Sequence, residues 1–210
     1  GVAVPTSIDP KTGEGLHAPN LGWRNQPIRK TLEKVFKRKV YLENDVNCGT
    51  LAEFKCGAAS KYRNVVGFFV GTGLGGGIVI DGKLVRGVRG AAGELGHEIV
   101  RYKGRKCGCG NRGCLEAYCS KTAFGKQFHK HINHYGEKSV LSKLCDGDFT
   151  RLKSKTLHKA FNAKDPLAMS VVRKGFEMLG VASANLVSIL APECIVYGGG
   201  VVEELRDEVM

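Results

Sequence analysis

The sequence predicts an α/β fold, on three observations. Residues 64–70, 77–80 and 194–197 are strand-sized runs of β-branched, aromatic and other apolar residues. Segments with apolar residues at helical spacing lie around them, over 27–36, 46–57, 120–131 and 165–189. Specific punctuation separates the two kinds: Gly57 as a helix stop, Asp81-Gly82 as a two-residue hairpin, Asp165-Pro166 as a helix start.

Taken in order, residues 1–4 form an apolar strand, followed by Pro5 and a loop carrying Asp9-Pro10. A second loop, residues 19–22 with Trp23, leads into a helix in which Ile28, Leu32, Val35 and Phe36 recur at helical spacing. A short strand at 40–42 ends at Glu43-Asn44-Asp45, and the 46–57 helix follows. The strand at 64–70 runs into GTGLGGG at 71–77, then the strand at 77–80, which returns through 83–85. Past a cysteine-rich loop, Ser120 is the expected N-cap of a helix reaching residue 131. Residues 136–155 are polar and carry no legible period. The long helix from Asp165-Pro166 aligns Met169, Val172, Phe176, Leu179, Ala182 and Leu186 on one face, and Pro192 lies beyond its end. A strand at 194–197 and Gly198-Gly199-Gly200 then open a last helix.

The chain of 210 residues suffices for one large domain or two small ones, and 42% hydrophobic with 25% charged residues is ordinary for a globular protein. No apolar run approaches the length of a bilayer span, and no secretory signal pattern is visible, so no membrane partner is expected. The net charge of +12 is spread over dispersed basic segments that lack interleaved aromatics, which favours solvated faces over a nucleic-acid footprint. Of eight cysteines, three cluster and five are scattered, a pattern of free thiols plus one metal site that points to the cytoplasm.

The densest chemistry lies between residues 93 and 116. His97, Cys107, Cys109 and Cys114 offer one imidazole and three thiolates, a closed tetrahedral set typical of structural zinc. GTGLGGG is followed by a strand rather than a helix and has no Gly-Lys-Ser/Thr, so it is neither a Walker A loop nor a dinucleotide fingerprint. Two readings of it stand: backbone amides of Gly71, Gly73 and Gly75 approaching a phosphate beside the Thr72 hydroxyl, or a plain tight bend. Asp45, flanked by Asn44 and Asn47, is either a ligand-facing carboxylate at a strand end or a helix N-cap. Glu94 and Glu116 could accept hydrogen bonds from ligand hydroxyls or be surface charge. Gly198, Gly199 and Gly200 suit an anion or a purine lying against backbone, or a simple strand-to-helix turn.

LENDVN at 42–47, GTGLGGG at 71–77, GELGH with CGCGNRGCLE, and IVYGGG at 195–200 occur in an order that resembles the ROK family (repressors, open reading frames and sugar kinases). The resemblance implies an actin-like ATPase (ribonuclease H-like) fold of two lobes, the N-terminal one incomplete: residues 1–43 as its remnant, residues 44–210 as the larger C-terminal lobe with the zinc loop at 97–114. It implies Asp45 as catalytic base, with Asn44, Glu94, His97 and Glu116 binding sugar hydroxyls. The turn at 71–77 would be the second phosphate-binding turn and Gly198, Gly199 and Gly200 the adenosine turn. Hexose and Mg-ATP are the implied substrates. A homodimer fits the family, and nucleic acid enters only if an upstream helix-turn-helix exists. The family's first phosphate loop, an Asp-x-Gly-Gly-Thr-like turn, has no counterpart in this sequence, so the expectation is a piece of a longer protein. The expected activity is that of a sugar kinase acting on glucose. Other readings are an N-acetylmannosamine, N-acetylglucosamine or fructose kinase, a sugar-responsive repressor, and a zinc-stabilised sugar-binding module.

Overall fold

The computed structural model of the protein describes residues 1–18 and 21–209. Contacts divide the chain into two compact units. One comprises Gly1–Gly67, Gly76–Glu94 and Glu193–Val196, the other Phe68–Gly75, Leu95–Pro192 and Tyr197–Met210.

In the first unit, strands β1 (Val2–Val4) and β4 (Leu42–Asn44) pair in parallel, with Val2 opposite Leu42 and Val4 opposite Asn44. Between them the chain makes an antiparallel hairpin of β2 (Gly15–Ala18) and β3 (Trp23–Gln26), in which Gly15 faces Gln26. Loops are predicted there instead, because β2 is only four residues long and β3 carries one apolar residue, Trp23. Residues 19 and 20 of the second predicted loop lie outside the described residues. Helix α1 (Ile28–Phe36) forms as its period predicts, yet none of its residues is buried, and Val35 and Phe36 are 67% and 58% exposed. Periodicity marks which face is apolar; it does not supply a partner for that face.

Helix α2 (Asp45–Cys56) starts directly after β4, and the Gly57 N–H closes it on the carbonyls of Ala52 and Glu53. A four-stranded sheet has the order β7–β6–β5–β8, from Lys83–Leu84, Leu74–Ile80, Val65–Val70 and Cys194–Gly198 respectively. β5 is buried except at Phe69, which is why it reads as a continuous apolar run. The Asp81-Gly82 turn holds φ of +50° and +75°, the left-handed pair that a two-residue hairpin requires.

β6 begins at Leu74, three residues before the predicted start, so Leu74, Gly75 and Gly76 are strand rather than turn. Glycine has low strand propensity, but here the space decides. A Cβ on Gly77 would overlap the Thr50 hydroxyl of α2 and stand 2.7 Å from the Thr50 Cβ. Gly77→Val is therefore expected to cost about 1–3 kcal/mol of overpacking, a drop of about 2–12 °C in Tm. A melt of the intact protein unchanged within about one degree would contradict that packing.

The second unit is mainly helical: α3 (Lys121–His129), α4 (Leu141–Leu144), α5 (Ser154–Asn162), α6 (Pro166–Leu190) and α7 (Gly200–Val209). Ser120 and Asp165 cap α3 and α6 as their sequences predict, accepting from the N–H groups of Ala123 and Ala168. The predicted face of α6 is buried from Val172 to Leu186, Met169 being half-buried. α5 escapes the sequence reading although Leu157, Ala160 and Phe161 carry its period and are buried. Phe124, Phe128, Leu141, Leu157, Val172 and Leu205 fill this core. No helix among the described residues is long and apolar enough to cross a membrane.

Candidate functional site

In the first unit the β4–α2 junction sets out the polar groups. Asn44 is extended at φ −62° and ψ 142°, and its Oδ1 accepts from the N–H of Val46 at 2.9 Å and of Asn47 at 3.1 Å. The cap is thus Asn44, and Asp45 is the first residue of α2 instead. The Asp45 carboxylate is exposed; its Oδ1 accepts from Val46 N–H at 2.9 Å, and Oδ2 has no partner among the described residues. A carboxylate in the first turn also sits in the favourable field of the helix N-terminus. Behind it, Glu43 accepts from the Asn44 N–H and the Asn47 side chain, both at 3.0 Å, and pairs with Arg86 at 2.6 Å. Neither Glu43 nor Arg86 stood out in the sequence; partners separated by 43 residues leave no local signal. Glu94 is exposed, and its Oε1 accepts from the Ser7 hydroxyl at 2.9 Å. Gly93 immediately before it has φ +84°, and a Cβ there would lie 3.3 Å from the Gly76 carbonyl oxygen.

In the second unit, His97, Cys107, Cys109 and Cys114 do converge, each offering a ligand atom within 4.8 Å of the others. Cys109 Sγ lies 3.7 Å from Cys114 Sγ, and Cys107 Sγ 3.7 Å from His97 Nδ1. A tetrahedral ion with Zn–S bonds of about 2.3 Å requires S–S edges of about 3.8 Å, so the donor set fits zinc. Main-chain bonds shape the loop: Cys107 N–H to Asn111 O at 2.8 Å, Gly113 N–H to Arg105 O at 2.8 Å, and Gly110 N–H to Cys107 O at 3.2 Å. Gly110 and Gly113 hold φ of +97° and +87°, and a Cβ on Gly113 would overlap the Arg101 carbonyl. The Tyr118 hydroxyl accepts from the Arg105 N–H at 2.8 Å, with the Arg105 guanidinium 4.7 Å from the ring centre.

Burial pushes the Cys107 thiol up, and with neighbouring thiols it pushes Cys114 up to about 12. Clustered thiolates repel one another, and a divalent cation would remove that penalty. Glu116, in the 3-10 turn Leu115–Ala117, reaches two features at once. Its Oε2 accepts from Leu74 N–H at 3.0 Å, and its Oε1 is 3.9 Å from Cys107 Sγ.

The turn at Gly71-Thr72-Gly73 is closed by Gly71 N–H to Gly73 O at 2.9 Å. The start of α3 occupies its carbonyls: Lys121 N–H donates to Gly71 O at 3.0 Å and Thr122 Oγ1 to Thr72 O at 2.8 Å. The N–H groups of Thr72 and Gly73 and the Thr72 hydroxyl keep no partner among the described residues. They are available to an anion. Gly75 lies within β6 rather than in the turn. Gly199 has φ +86°, and a Cβ on it would stand 2.7 Å from the Val70 carbonyl oxygen, so the second glycine turn abuts the end of β5 that leads into the first.

The family model described as "ROK family" matches residues 1–207. The chain is 38% identical over 205 residues to a glucokinase of Halalkalibacterium halodurans, covering 96% of this chain and 61% of that protein. It is 35% identical over 198 residues to a xylose repressor of Caldicellulosiruptor bescii, covering 94% of this chain and 49% of the repressor. Its fold superposes with a TM-score of 0.85 on a ROK family glucokinase from Streptomyces griseus solved with glucose and AMPPNP, at 33% identity, over 99% of this chain and 69% of that one. The chain thus spans between about half and two-thirds of the length of such curated relatives.

Proposed function

The chain belongs to the ROK family and has its α/β, actin-like ATPase fold, and on that premise we propose that the protein of which it forms part transfers the γ-phosphoryl group of Mg-ATP to a hexose, converting glucose to glucose 6-phosphate. One observation carries the catalytic half of this reading: Asn44 takes the capping role, so the Asp45 carboxylate at the head of α2 is left free to act as a base. In the reaction the sugar hydroxyl oxygen forms a bond to the γ-phosphorus as the bond to the bridging oxygen of ADP breaks. Asp45 accepts the hydroxyl proton. The free donors of Thr72 and Gly73 are suited to phosphate oxygens, and Gly198, Gly199 and Gly200 to the adenosine. Asn44, Glu94, His97 and Glu116 are assigned to sugar hydroxyls, which need fixed acceptors. Zinc on His97, Cys107, Cys109 and Cys114 would be closed by four ligands, so its contribution is to fix their positions. The same reading keeps residues 1–43 and 44–210 as parts of two lobes and places the protein in a reducing cytoplasm, which eight unpaired cysteines support.

The similarity to a xylose repressor favours a second reading, a sugar-responsive regulator whose sugar-binding part this chain would supply. ATP-dependent phosphorylation by the intact protein, measured on glucose, fructose, N-acetylglucosamine, N-acetylmannosamine and allose, separates the two. Turnover highest on glucose is expected. Binding of a sugar without turnover on any of them would favour the regulator.

A further inference from the structure

We propose that Ser7 is a positioning residue for the sugar. Its hydroxyl fixes one oxygen of Glu94 so that the other is presented to a hexose hydroxyl. This rests on the reading of Glu94 as a hydroxyl acceptor and adds a residue that neither the sequence motifs nor that reading contains.

The two oxygens of Glu94 are used unequally. Oε1 accepts from Ser7 Oγ at 2.9 Å, across 87 residues of sequence, whereas Oε2 accepts no hydrogen bond among the described residues. A glutamate's last torsion is broad and nearly twofold, so an unheld carboxylate samples many planes. A hydroxyl donor on one oxygen selects a plane and leaves lone pairs of the other facing outward.

Ser7 can do this only if its own backbone is fixed, and it is. Thr6 and Ile8 on either side are 4% and 6% exposed. The Ser7 carbonyl accepts from Leu16 N–H at 2.9 Å, and Thr6 N–H donates to Val4 O at 2.9 Å. Asp9 follows at once and ties down the next turn, its Oδ1 accepting from the N–H groups of Lys11 and Thr12 at 2.8 and 2.9 Å. Gly90, at φ +66°, lies so close to Ile8 that a Cβ would overlap the Ile8 carbonyl oxygen. The neighbouring Thr6 carbonyl takes the Asn44 side-chain amide at 3.5 Å, so one short strap touches both the residue before the proposed base and Glu94. An exposed hydrogen bond contributes little while water competes; a hexose seated on Oε2 would exclude that water and strengthen it.

The test uses the intact protein with glucose binding by calorimetry, steady-state kinetics and a double-mutant cycle. Ser7→Ala is expected to raise the Kd and KM for glucose about fivefold to twentyfold, with KM for ATP and the melting temperature unchanged. Ser7→Thr, which keeps the hydroxyl, should stay within about twofold of the parent. In a Glu94→Ala background, Ser7→Ala should have no further effect, because nothing is left to position. Glucose binding unmoved by Ser7→Ala in an active protein, or an effect fully additive with Glu94→Ala, overturns the role of Ser7 and leaves the kinase reading standing. An intact protein that neither binds nor phosphorylates any hexose overturns both.

Discussion

Asp45→Asn in the intact protein is expected to lower kcat for hexose phosphorylation about 10²–10⁴-fold while leaving hexose affinity within about threefold. The amide keeps the shape and one acceptor oxygen at the same place on α2, so its Oδ1 can still accept from the Val46 N–H. What it loses is the capacity to take a proton. Stability should hardly move, since the helix cap belongs to Asn44. Steady-state kinetics beside a thermal melt separate these effects. Undiminished turnover in Asp45→Asn would remove Asp45 from the proposed chemistry.

The proposed metal gives the second large effect. Intact protein is expected to contain one zinc per chain, and Cys114→Ser to lose it along with much of its thermal stability. Apparent binding free energies of structural zinc reach about 10–16 kcal/mol in small peptides, so even a fraction of that exceeds the usual cost of a core substitution. Cys114 is fully buried and its thiol, without an ion, is held up to about 12. Binding must therefore displace protons, and affinity should rise with pH through the neutral range and fall on acidification. Metal analysis of dialysed protein, followed by zinc release between pH 8 and pH 5 as flagged by a chromophoric chelator, would check both (about one ion per chain, released at the acid end). Native protein with all four ligands intact and no bound metal would refute the assignment.

The helix ends were the most legible part of the chain, because Ser120, Gly57 and Asp165-Pro166 act on N–H and C=O groups only a few residues away. The His97–Cys114 constellation was legible for a similar reason: its ligands are near in sequence and unusual in type. Three things were hidden. In the β2–β3 hairpin, β2 is only four residues long and β3 has a single apolar residue, Trp23, so neither gives a period long enough to detect. The exclusion of a side chain at Gly77 depends on Thr50, which approaches from α2, far away in sequence. Ser7, Glu43 and Arg86 owe their places to partners far along the chain, and nothing local sets them apart.

The metal loop also bears on the order of events in folding. Its main-chain bonds join Arg105 to Gly113 and Cys107 to Asn111, and its bridges join Ile99 to Cys114 and Lys106 to Arg112. All of these close short circuits of chain, for which the entropy of loop closure is small. The ligands can therefore be gathered soon after residue 114 leaves the ribosome, before the long-range pairing of β8 with β5 is available. If zinc binds there as proposed, a cell short of it would meet this protein's weakness during synthesis, as a nascent chain whose earliest cross-link fails to form.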